Sequence, residues 1–74
     1  MVGFVSNVIA DRRFGFIAAD NGQEYFFHES NCESDWNEIA ADFARLGRGK
    51  VQVTFEPTKT AKGPRADAVT IFET

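Results

Sequence analysis

The chain has a single cysteine, a single histidine and no apolar run long enough to span a bilayer, and each shortage removes a class of protein. A lone Cys32 forms no internal disulfide, whereas a secreted domain of 74 residues would normally carry several, so a reducing cytoplasmic setting is expected. His28 and Cys32 lie four apart but lack a convincing third and fourth partner, so no metal site is expected. The histidine also has no identifiable orienting acid or oxyanion donor beside Ser30. Gly47-Arg48-Gly49-Lys50 lacks both the spacing and the following helix of a phosphate loop. Neither catalysis nor a cofactor is expected. The opening Met1-Val2-Gly3-Phe4-Val5 lacks the basic start and long apolar core of a signal peptide, and no membrane contact is expected from this segment. Repeats and low-complexity tracts are absent.

Aromatic residues, by contrast, are concentrated. Arg13-Phe14-Gly15-Phe16-Ile17 and Tyr25-Phe26-Phe27-His28 flank Asp20-Asn21-Gly22, and Asn-Gly favours the positive backbone angles of a tight hairpin turn. Alternation along the paired strands puts Phe14 and Phe16 on one face, and Phe26 and His28 on one face with Tyr25 and Phe27 on the other. With Ile17, Tyr25 and Phe27 inward, the outward set is Phe14, Phe16, Phe26 and His28. The opposite register would bury Phe14 and Phe16 and turn Ile17 out. An outward ring cluster costs solubility unless something flat and apolar docks on it, as unstacked nucleobases do. Gly15 leaves room between the two rings for another backbone or a ligand.

The remainder reads as strands with one interruption. Val2 to Ala10 is the first strand, its alternation broken at Asn7. Lys50 to Glu56 alternates, with Val51, Val53 and Phe55 on the buried face. Pro57 to Pro64 is expected to be a flexible basic loop, and Arg65 to Phe72 the last strand. Between His28 and Lys50, Trp36, Ile39, Ala40 and Phe43 recur at helical spacing. Asp35 with Glu38 forms a candidate cap and capping-box partner, and Gly47 a candidate stop. This acidic helix is expected to cap one end of the barrel with Trp36 and Phe43 as core.

The run Ala10-Asp11-Arg12-Arg13-Phe14-Gly15-Phe16-Ile17, with Phe26-Phe27-His28 downstream, resembles the cold-shock proteins and cold-shock domains. Their first motif, Lys-Gly-Phe-Gly-Phe-Ile, is matched except that Arg12-Arg13 replace Lys-Gly. Their second, Val-Phe-Val-His, stands here as Tyr25-Phe26-Phe27-His28. Ala61-Lys62-Gly63-Pro64-Arg65-Ala66, with Val69-Thr70 after it, is similar to the last loop and closing strand. The resemblance implies a mainly all-β fold, a five-stranded antiparallel barrel of the oligonucleotide-binding (OB) type, to which this chain adds one short helix between strands 3 and 4. It implies one domain over residues 1–74, ending just past the last strand as a domain cut from a longer protein would.

The function implied is binding of single-stranded RNA or DNA, RNA-chaperone-like, with Phe14, Phe16, Phe26 and His28 as the stacking platform and Arg12, Arg13, Lys59 and Lys62 attracting the backbone. Two features oppose it. Net charge is −3 with pI near 4.9, where a basic surface would be expected. Five acidic and no basic residues fall between Glu29 and Asp42, leaving eight basic and six acidic elsewhere. In the first strand, Ser6-Asn7-Val8 stands where the family has Lys-Trp-Phe, and stacking is worth about 1–3 kcal/mol per base, so affinity is expected to be modest. The competing reading is a protein-interaction or structural module meeting a protein partner through the acidic helix. In either case the chain is expected to be monomeric.

Overall fold

In the computed structural model, which describes residues 1–72, five strands close into a barrel in the order β1-β2-β3-β5-β4. They are β1 (Val2–Ile9), β2 (Phe14–Ala19), β3 (Glu24–His28), β4 (Gln52–Thr60) and β5 (Gly63–Ile71), and the helix α1 (Trp36–Leu46) lies between β3 and β4. This is the mainly β, OB-type architecture the sequence implies. The ladders are antiparallel except at the closure, where β3 meets β5 in parallel through Phe26 opposite Arg65.

Alternation decides what fills the barrel. Val5, Ile17, Phe27, Val53 and Val69 are fully buried, and Tyr25 packs its ring 5.0 Å from that of Phe55. Trp36 and Ile39 of α1 enter the same core, with the indole 5.7 Å from Phe27. The helix therefore covers an end of the barrel from the interior side of β3. Asp35 caps it by accepting from the Asn37 N–H; the box partner expected at Glu38 is not used through a side chain. Gly47, at φ 96°, ends it and donates its N–H to Phe43.

Two local expectations are corrected and a third is explained. The β2–β3 turn is wider than a two-residue Asn-Gly turn: Ala19 donates to Gln23, Gly22 to Ala19, and of the turn residues only Gly22 has positive φ (85°). That is a three-residue hairpin with glycine at the left-handed position. Asn21 instead accepts from the Gln23 N–H. The basic segment from Pro57 is no loop, because β4 continues to Thr60 and turns at Ala61-Lys62 straight into β5. Proline is tolerated there for a directional reason. Phe55 exchanges hydrogen bonds with Met1, so the nitrogen two residues on faces the same edge, past the start of β1, where no N–H is needed. Finally, the break in β1 is a bulge between Val5 and Asn7. Its extra residue, Ser6, is buried and its hydroxyl reaches Phe16 O and Glu24 Oε2.

Candidate nucleic-acid interface

Pairing of β2 with β3 sets Phe14 opposite His28 and Phe16 opposite Phe26. Because Gly15 and Ile17 between them, with Phe27 across, are buried, the four rings share the outer face. Phe14, Phe16 and Phe26 form one cluster, with centroid separations of 5.9 Å (Phe14–Phe16), 5.5 Å (Phe14–Phe26) and 6.0 Å (Phe16–Phe26). Phe26 is 37% exposed and the others are half-buried against each other. The inward register of Phe14 and Phe16 is thereby excluded.

Gly15 serves the interior. A Cβ there would lie 2.6 Å from the Asn7 carbonyl oxygen and 2.9 Å from the Phe27 ring. The neighbour that needs its bare backbone is therefore β1 and the core, with no space left for a ligand on that side.

His28 is fixed by the turn that follows it. The Ser30 N–H donates to its Nδ1 at 3.2 Å, and the Ser30 hydroxyl stands 3.0 Å from the same nitrogen. With that lone pair engaged by a backbone donor, the neutral ring carries its proton on Nε2. The His28 N–H donates to Asn31 Oδ1, and Asn31 Nδ2 in turn donates to Asp67 Oδ1. Thr58 and Arg65 donate to the other Asp67 oxygen. The Thr58 hydroxyl above all, with the Arg65 guanidinium and Asn31, holds the Asp67 carboxyl below its ordinary value against a smaller upward push from burial. This hub ties the end of β3 to both strands of the β4–β5 hairpin.

The tip of that hairpin faces the rings. Phe16 and Phe26 on one side, and the turn from Thr60 to Arg65 on the other, enclose an open groove of about 630 Å³. Thr60 stiffens the turn, donating to Gly63 O and accepting from the Lys62 N–H. Lys62 therefore meets the platform as expected, and Pro64 and Arg65 join it. Lys59 does not: it lines a second groove with Gln23, Tyr25 and Pro64. Arg12 is exposed in the 3₁₀ turn Ala10–Arg12 and forms no ion pair among the described residues. Arg13 follows with a left-handed backbone (φ 58°), and its guanidinium pairs with Glu29 at 3.1 Å. The acidic segment thus reaches the platform edge through Glu29, even though α1 packs on the core side.

Sequence reasoning missed the Ser30 hold on His28 and the Asp67 hub. Ser30 two residues after His28 was a readable signal, because short hydroxyl residues there form local caps. Asp67 gave none, since its partners Asn31 and Thr58 are remote in sequence. Cys32 is half-buried, and burial, with Glu29 nearby, pushes its thiol up to about 11, so it is not a ready nucleophile or ligand at neutral pH. No group of three potential metal ligands occurs among the described residues.

Residues 1–72 match the family model described as the 'cold-shock' DNA-binding domain. No curated protein matches the chain.

Proposed function

The chain belongs to the 'cold-shock' DNA-binding domain family, whose members bind nucleic acid, and from that premise we propose that it binds single-stranded RNA or DNA by stacking bases on Phe14, Phe16 and Phe26. The observation that carries this reading is the ring cluster itself. Three phenylalanines within 6.0 Å of one another occupy the outer face of β2 and β3, although a second aromatic set already fills the core. Exposed rings of this kind are stabilised by a flat apolar partner, and each stacked base contributes about 1–3 kcal/mol without regard to its identity.

His28 closes the row, with Nε2–H available to an acceptor on a base edge. Lys62 and Arg12 attract phosphates most effectively, since neither is ion-paired among the described residues, while Arg13 and Arg65 share their charge with Glu29 and Asp67. Lys59 acts at longer range from its own groove. With so few unpaired cations beside the rings, binding is modest and easily reversed. That suits an RNA-chaperone-like role in the cytoplasm, in which a monomeric domain keeps strands unpaired and releases them.

A fluorescent pyrimidine-rich oligonucleotide titrated at low salt tests the reading. Binding should weaken as salt is added, and folded Phe16→Ala protein should bind roughly tenfold less tightly, the loss of about one stacked base. Equal affinity in that variant would remove stacking. No titration by the wild type, with capture of a protein through the acidic helix, would favour the interaction module.

A further inference from the structure

Two exposed rings, Phe4 and Phe72, are left unused by the platform, and Phe4 is the one on a platform-bordering strand. Phe4 is 40% exposed on β1 and sits between Ala18 of β2 and Gln52 of β4. On β2, Ala18 lies two residues from Phe16, so it shares the outer face with it, and Phe4 stands across from that same face. The step from the Phe16 row to the Phe4 row is roughly 7 Å, two strand residues at about 3.3 Å each, a distance one extended nucleotide bridges. Ala18 is exposed and small, and the Glu24 carboxylate paired beside it, accepting from the Ser6 hydroxyl at 3.0 Å, borders the route between the two rings.

A cation precedes the strand that flanks this second ring. Val51 and Val53 are buried, so Gln52 between them turns outward beside Phe4, and exposed Lys50 lies two residues earlier, in the turn that leads into β4. The backbone there is fixed on β1: the Val5 N–H donates to Val51 O at 2.9 Å, and the Gly49 N–H to Val5 O at 3.0 Å. Lys50 is exposed and has no ion-pair partner among the described residues, and Arg48, two residues before it, is equally free. A ring with an unpaired ammonium group nearby is the pairing that a base and its phosphate require.

We infer that the single strand continues past Phe16 across β1, stacking a further base on Phe4 while Lys50 takes a backbone phosphate. The inference rests on the stacking reading above and lengthens its footprint beyond the β2–β3 platform. It places a stacking residue on the first strand, although Ser6-Asn7-Val8 offers no ring there.

Two lengths of labelled oligothymidine, four and eight nucleotides, distinguish the outcomes. Phe4→Leu keeps an apolar side chain on β1, and its thermal melting should match the wild type. It should bind the four-nucleotide strand as the wild type does and the eight-nucleotide strand at least about fivefold more weakly. Lys50→Gln should show the same length dependence and lower the salt slope by about 0.7, the value for one phosphate contact on a single strand. Wild-type affinity of Phe4→Leu at both lengths, with Phe16→Ala impaired at both, would overturn the extension and leave the platform standing. Unimpaired binding by Phe16→Ala would overturn the platform, and the extension with it.

Discussion

Arg13 occupies a backbone conformation that L-residues adopt at a cost of about 1–2 kcal/mol, and what it receives in return is an exposed ion pair with Glu29, worth at most about 1 kcal/mol. Arg13→Gly should therefore leave stability unchanged or raise it by up to about 1 kcal/mol, visible as a rise of a few degrees in thermal melting. Arg13→Ala loses the pair without relieving the backbone and should melt lower than either. Gly15 shows the opposite constraint. Gly15→Ala drives a methyl into the Asn7 carbonyl and the Phe27 ring, and urea unfolding should show a loss of about 1–3 kcal/mol. The outward rings were legible because a period of two leaves only two choices, and buried Ile17, Tyr25 and Phe27 settle which. The left-handed angle at Arg13 was not legible from an arginine; only the glycine that cold-shock proteins carry at this position hinted at it.

The β4–β5 hairpin and α1 hold the platform's surroundings in place. Asp67 binds Asn31, Thr58 and Arg65, and its carboxyl titrates below the ordinary 3.8. A depressed carboxyl contributes stability in full above that ordinary value and loses it as pH falls through the folded-state value. Asp67→Asn should thus cost roughly 1–2 kcal/mol near neutral pH, from hydrogen bonds to a charged acceptor. It should also flatten the decline in stability below about pH 4, as read by urea unfolding across pH. For the helix, Ile39 is fully buried, and Ile39→Ala should cost about 2–5 kcal/mol, the loss expected of a core residue. Spacing revealed α1 because Trp36, Ile39 and Phe43 fall on one face. The length of β4 was hidden because Pro57, Lys59 and Thr60 look like loop residues, and only the free edge beyond Met1 shows why a strand tolerates them.

Across the whole molecule, an acidic chain presents aromatic rings outward while the segment that follows β3 carries five of its eleven acidic residues and no basic one before Arg45. Sequence showed that segregation as five acidic residues from Glu29 to Asp42, but where the segment would lie depended on long-range contacts: Trp36 against Phe27, and Glu29 back to Arg13. Cations near the rings are few, so binding should fall with salt more gently than for a basic domain, at a slope of about −0.7 for each phosphate met. The most direct measurement is a set of aromatic side-chain NMR spectra recorded while a short single-stranded oligonucleotide is added. Ring signals of Phe14, Phe16, Phe26 and His28 should move together, with those of buried Phe27 and Trp36 nearly still. Shifts concentrated on α1, with the four outward rings unmoved, would contradict the account.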